Sequence, residues 1–134
     1  MIELKDLLSE FTTMHDGFVA DWNEAMQSGD PSSVERMAED YYVAFFNGMT
    51  DKPMIFNKQD SVDGMKQSVR HFLGCEKKFE NRVIRLRNPD NAVVFYEQLV
   101  VKNEEVLARL FTIENWQLIE GSWLIVRETE ESIH

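Results

Sequence analysis

The sequence predicts an α+β fold, with helices packed on one face of a curved, mostly antiparallel sheet. Two observations carry that expectation. A long apolar stripe at helical spacing occupies the start of the chain, and three short turn signals cut the second half into four strands. No internal repeat, low-complexity tract or linker interrupts the 134 residues, so residues 1–134 are read as one domain with one continuous core.

Residues 3–28 give the first helix. At about 100° per residue, Leu4, Leu8, Phe11, Phe18, Trp22 and Met26 fall on one stripe, flanked by Leu7, Met14 and Ala25. "SGDPSS" ends it, with Gly29 at the C-cap, Asp30 as the next N-cap and Pro31 at a first helical position. A second short helix is expected to present Val34, Met37 and Ala38. "YYVAFFN" (41–47) is aromatic and β-branched, hence a strand. "GMTDKPMIFNKQ" is read as a turn or loop holding a short apolar piece. A third helix opens on Asp60 or Ser61, carries Val62, Met65, Val69, Phe72 and Leu73 on one side and stops at Gly74.

"NPDN" (88–91), "NEE" (103–105) and "IEGS" (119–122) then separate four strands of roughly eight to twelve residues. Such short connections force antiparallel neighbours. With "IEGS" as the last turn, the expected pairs are Leu118 with Trp123, Trp116 with Ile125 and Glu114 with Arg127. One face then carries Thr112, Glu114, Trp116, Leu118, Trp123, Ile125 and Arg127. The other carries Arg109, Phe111, Ile113, Asn115, Leu124, Val126 and Glu128. Both faces are largely apolar at mid-strand, so helices should cover one and a second copy of the chain the other. A homodimer through the outer sheet face is the expectation.

Fourteen basic and twenty-four acidic residues give a net charge of -10. Such a surface repels phosphate backbones and anionic headgroups, which argues against nucleic-acid and membrane-surface roles. "MIELKDLLSEF" mixes acids with apolar residues and lacks a basic n-region, so it reads as helix and not as a signal peptide. The single cysteine, Cys75, suits a reducing, cytoplasmic setting and reads as inert packing.

Two stretches are similar to the nuclear-transport-factor-2-like superfamily, particularly its small SnoaL-like members. They are "WNEAMQSGDPSSVERMAEDYYVAF" (22–45), where Trp-Asn precedes a Gly-Asp helix break, and "WQLIEGSWLIV" (116–126), with its Trp, Gly and Trp spacing. Both are scaffold features. The resemblance implies a cone-shaped fold, three N-terminal helices on a strongly curved sheet, with a pocket between the long helix and the concave face. It implies no single activity, since that container serves isomerases, dehydratases, polyketide cyclases and non-catalytic domains.

His15 is the sharpest candidate. It lies within about 20° of the stripe's centre, between Phe11, Phe18 and Trp22. An ionisable ring there is either hydrogen-bonded core or a group facing a cavity; the resemblance, which lays this helix along the pocket wall, makes it the candidate base. Trp22 is core with a secondary role as cavity wall. Tyr41 and Tyr42 point to opposite faces of their strand, so one looks inward; Tyr42 is taken as the ligand-side candidate. Glu114 and Arg127 form either a cross-strand ion pair or the polar end of an apolar pocket beside Trp116 and Trp123. Arg127 stands where the resemblance implies histidine in many SnoaL-like relatives. His71 points away from its helix's apolar side, and His134 is terminal. No metal cluster, glycine-rich phosphate loop, Ser-His-Asp order or Cys-His pairing is legible, so no metal or cofactor is expected.

Three functions are open at this stage. The first is a pocket for a small apolar or amphipathic molecule, without necessary catalysis. The second is an isomerase, dehydratase or cyclase acting by general acid–base catalysis. The third is a dimeric interaction or regulatory module.

Overall fold

The computed structural model describes residues 3–133; Met1, Ile2 and His134 lie outside them. Helix α1 (Leu4–Ser28) buries Phe11, His15, Phe18, Ala25 and Met26; of the expected stripe Leu8 and Trp22 are half-buried and Leu4, at the start, is exposed. Gly29, at φ 82°, donates its N–H to the Ala25 carbonyl at 2.8 Å. That left-handed cap is open to glycine because no Cβ meets the preceding turn.

The expected second helix is replaced by a single 3-10 turn, Ser32–Val34, followed at once by strand β1 (Met37–Phe46). Val34, Met37 and Ala38 are buried, and their spacing suits either conformation. Pairing decides between them. The Arg36 carbonyl accepts the Ile125 N–H at 2.7 Å, and Met37 lies opposite Ile125. A strand already offered by the sheet overrides local helical preference.

The apolar piece of the segment read as a loop is strand β2 (Met54–Asn57), antiparallel to β1. Helix α2 (Lys58–His71) starts earlier than Asp60. Asn57 accepts the Asp60 N–H at 2.9 Å and the Asp60 carboxylate accepts the Asn57 N–H at 3.4 Å, a reciprocal cap that makes Asp60 the third helical residue. His71 is exposed and Cys75 buried.

Strands β3 (Glu76–Asn88), β4 (Asn91–Lys102), β5 (Glu105–Ile119) and β6 (Ser122–Ser132) follow as an antiparallel meander. The six-stranded sheet has the order β2-β1-β6-β5-β4-β3, with β1 parallel to β6 and all other pairs antiparallel. Its inner face packs on α1 around Phe11, Phe18, Val94, Tyr96, Trp116 and Ile125. Among the described residues no helix is long and apolar enough to cross a membrane.

Two irregularities position the site. In β6 the pairing steps from Trp116↔Ile125 to Asn115↔Arg127, leaving Val126 unpaired as a bulge. In β3 the register slips between Glu80 and Val83, with Asn81 at φ 56°, a conformation asparagine tolerates better than most residues.

Two turns place both central residues at positive φ. Glu120 and Gly121 stand at 49° and 82°, Asn103 and Glu104 at 52° and 68°. This geometry matches the right-handed strand twist and favours Asn-Gly. Glu104, like Glu120, holds a glutamate side chain at a left-handed position, and Glu104 stands where the second turn residue favours glycine. Glu104→Gly should stabilise the chain by about 0.5–1 kcal/mol, read as a raised denaturant midpoint at unchanged slope; an unchanged or lowered midpoint would refute strain at this turn.

Candidate functional site

Strand alternation puts Thr112, Glu114 and Trp116 of β5 on the inner face, where all three are buried. On β6 the Val126 bulge inverts the alternation midway. Trp123 and Ile125 precede it, and Glu128 and Glu130 follow it opposite Glu114 and Thr112. Without the bulge Arg127 would face Glu114 across the strands. With it, Arg127 is turned to the outer face and donates to Asn115 Oδ1 at 3.2 Å. The expected Glu114–Arg127 pair is therefore replaced by Glu114 beside Glu128.

Glu114, 1% exposed, is the best-anchored polar group in the chain. Its Oε1 accepts from His15 Nε2 and from Trp116 Nε1, each at 2.9 Å, and its Oε2 accepts from Tyr96 OH at 2.6 Å. Behind it, Arg82 Nη1 donates to His15 Nδ1 at 3.1 Å, and Nη2 binds Asp16 at 2.6 Å. Arginine offers only donors, so His15 Nδ1 accepts and the ring proton sits on Nε2, toward Glu114. Both ring nitrogens are thus engaged, and His15 is not among the residues lining the cavity described below. The candidate base is a buttress for Glu114. The β3 irregularity at Asn81 brings Arg82 to this position.

Between α1, α2 and the inner sheet face lies a cavity of ≈ 190 Å³. Phe18 and Trp22 of α1, Ser61 and Ser68 of α2, Tyr41, Lys77, Tyr96 and the carboxyls of Glu114, Glu128 and Glu130 line it. Val34, Met37, Met65, Leu110 and Ile125 line it as well, so an apolar wall carries an acidic end to which the bulge delivers two glutamates. Tyr41 OH donates to Glu128 Oε1 at 2.9 Å. Lys77 Nζ sits over the Trp22 ring at 3.2 Å from its centroid. Asn23 fixes the Lys77 backbone from both sides: its Oδ1 accepts the Lys77 N–H at 2.9 Å and its Nδ2 donates to the Lys77 carbonyl at 3.0 Å. Asn23 thereby stands in for the strand that β3, at the sheet edge, lacks.

Low dielectric and crowding of like charge set the protonation states. Burial, then Glu130 and Glu114, raise Glu128 well above the usual carboxyl range. Burial likewise raises Glu130. Burial, then Glu128, pushes the Tyr41 phenol up; burial, then Glu114, does the same for Tyr96. Burial lowers Lys77 to about 8 against the pull of Glu130, Glu128 and Glu114.

Of the residues expected at a site, Glu114 and Trp22 line the cavity. Trp116 lies beneath it as a donor to Glu114. Trp123 packs edge-on against Phe11 at 4.9 Å, away from the lining. Tyr42 is 38% exposed and pairs beside Arg127 on the outer side, so the inward tyrosine is Tyr41. Lys77, Tyr96, Glu128 and Glu130 were not expected. The alternation of Glu128 and Glu130 in "ETEE" put them on one face, but on the wrong one once the bulge is missed. Among the described residues no group of three or more His, Cys, Asp or Glu is arranged to hold a metal ion.

No family model and no curated protein matches the sequence. Solved structures do match in shape. The chain is similar to a protein of unknown function with a cystatin-like fold from Nostoc punctiforme, at 18% identity and a TM-score of 0.69 over 98% of this chain and 94% of that one. It is similar to an NTF-2-like protein of unknown function from Silicibacter pomeroyi, at 14% identity and 0.66 over 93% and 98%. An NTF2-like protein with a cystatin-like fold from Novosphingobium aromaticivorans aligns at 16% identity and 0.66 over 99% and 92%. The chain therefore has the cone-shaped, cystatin-like α+β fold of the NTF2-like proteins.

Proposed function

We propose that this chain binds a compact polar small molecule in the cavity between α1, α2 and the inner sheet face. The observation that carries the reading is the wall itself. Glu128, Glu130 and Lys77 bring ionisable groups to the inner wall, and Glu130 and Lys77 do so without the ion-pair partners that a purely structural role calls for. Among the described residues Lys77 and Glu130 form no ion pair, and the Lys77 ammonium rests against the Trp22 ring. A ligand with donors for the glutamates and an acceptor for the lysine would satisfy all three. The volume is more than ten times the ~15 Å³ that one water requires, yet smaller than drug-sized sites.

Acid–base catalysis is the second reading, favoured by the proton held on Glu128 beside Tyr41. His15 has no part in it, because its lone pair and its proton are both committed.

The outer sheet face supports a homodimer. Phe95 and Phe111 are 39% and 40% exposed and stack at 6.4 Å, beside a groove of ≈ 450 Å³ that also takes in Phe46 and Ile113. An exposed aromatic pair of this kind marks a surface that gains by being covered.

Three outcomes are expected. In a thermal-shift screen of compact polar compounds, hits should raise the melting temperature of the wild type and not of Ser61→Leu, whose added side chain fills the cavity; equal shifts in both would place binding elsewhere. The second concerns pH. Folded Glu128 keeps a proton that the unfolded chain releases near 4.5, so its contribution to stability is whole below that value and is lost as pH rises toward the folded value. Between about pH 4 and pH 7 the wild type should lose melting temperature relative to Glu128→Gln; a constant gap would contradict the burial of that proton. Third, light scattering at micromolar concentration should give a dimer for the wild type and a monomer for Phe111→Glu; a monomeric wild type rules the interface out.

A further inference from the structure

We infer that Lys77 is the amine through which this cavity captures a carbonyl compound, an aldehyde or ketone, as a reversible imine. The inference rests on the reading of the cavity as a small-molecule site.

Lys77 is 7% exposed although it belongs to an edge strand. Lysines are almost never so buried unless paired. Here the ammonium has no carboxylate within ion-pair distance among the described residues; it lies over the face of Trp22 at 3.2 Å and near that of Phe79 at 5.6 Å. Its place is nevertheless fixed with care. Asn23 grips the backbone at both its N–H and its carbonyl, and Gln27, one helical turn on, donates to the Cys75 carbonyl at 3.0 Å. Trp22 and Asn23, adjacent on α1, therefore set the head and the root of one side chain. Lys78, its neighbour, is exposed, as strand alternation requires.

The groups facing Lys77 suit amine chemistry. Glu114 of β5 and Glu128 and Glu130 of β6 carry the carboxyls, Tyr41 of β1 and Tyr96 of β4 the phenols, and α2 brings serines. Desolvation lowers Lys77 to about 8, which leaves free amine near neutrality. Glu128, raised by burial, holds an available proton.

The step balances with these groups alone. The lone pair of the neutral Nζ forms a bond to the carbonyl carbon, and the C=O π pair moves to oxygen. One nitrogen proton passes to that oxygen, giving the carbinolamine. The nitrogen lone pair then expels the hydroxyl, which takes the Glu128 proton and leaves as water. The products are an iminium on Lys77, a carboxylate on Glu128 and one water. Hydrolysis reverses the sequence.

The folded chain is treated with acetaldehyde and sodium cyanoborohydride, which reduces imines in place, and each lysine is followed by peptide mass mapping. At pH 7 Lys77 should be alkylated at least about tenfold faster than exposed Lys78, and its rate should level off near pH 8 while that of Lys78 keeps rising. Glu130→Gln should move the plateau to lower pH, because the carboxylate that helps retain the proton is gone. Lys77→Met should lose the fast phase; if that variant does not fold, the wild-type profile alone decides. Alkylation of Lys77 no faster than Lys78, or a profile without a plateau, overturns the inference. Should Lys77 prove inert while non-carbonyl ligands still shift the wild type and spare Ser61→Leu, only the imine falls; loss of both results removes the binding site as well.

Discussion

The structure turns on a buried carboxylate. Glu114 accepts hydrogen bonds from α1, β4 and its own strand through His15, Tyr96 and Trp116. A carboxylate withdrawn from water is destabilising unless its lone pairs are filled, and removing one partner of a buried pair costs about 3–5 kcal/mol. Each of the three donors is thus held to one geometry, and with them the angle at which α1 crosses the sheet. The aromatic core follows. Trp116 meets Phe18 and Phe11 edge-on at 5.0 and 5.9 Å, and His15 meets Trp116 edge-on at 5.8 Å. Arg82 extends the network to the surface through Asp16. The cavity lies against this rigid wall.

A second constraint is one unpaired residue. Side chains alternate with a period of two, so a single inserted position reverses the rest of a strand. Val126 does this to β6. The reversal removes Arg127 and Thr129 from the interior and installs Glu128 and Glu130. Without the bulge the wall would carry one acid, Glu114, with two bases, Arg127 and Lys77; with it the wall carries three acids and Lys77 of β3 alone. The polarity of the site is thus a consequence of backbone register.

That constraint also marks where sequence reading succeeds and where it ends. The buried stripe from Phe11 to Met26, the three turns and the Trp116–Ile125 and Leu118–Trp123 pairs are local or near-local features, set by periodicities of 3.6 and 2 and by turn chemistry. They were legible. The inward placement of His15 was legible too, but its role was not, since that depends on Arg82 and Glu114, which are far away in the chain. Val34 to Ala38 fits both periods, and a partner strand distant in sequence settled it. The bulge has no composition of its own: "LIVRETEE" alternates without a glycine or proline to announce it. Lys77 hides in "CEKKFE", which reads as a solvated edge until Asn23 is known to cap it.

Four ionisable side chains of the cavity, Glu114, Glu128, Glu130 and Lys77, differ in what holds them. Glu114 is complete within the chain, and the fold depends on it. Glu128, with one oxygen on Tyr41, is half complete, and Glu130 and Lys77 are engaged by nothing but distant charge and, for Lys77, an aromatic face. Well-packed apolar residues at such positions are often at least as stable as buried ions. Their retention beside a fully satisfied network is hard to derive from stability, because an ammonium and carboxyls that do not meet recover through distant charge only part of what burial costs. It follows naturally if a third party completes them, joining the proton on Glu128 to the amine of Lys77 across the space between.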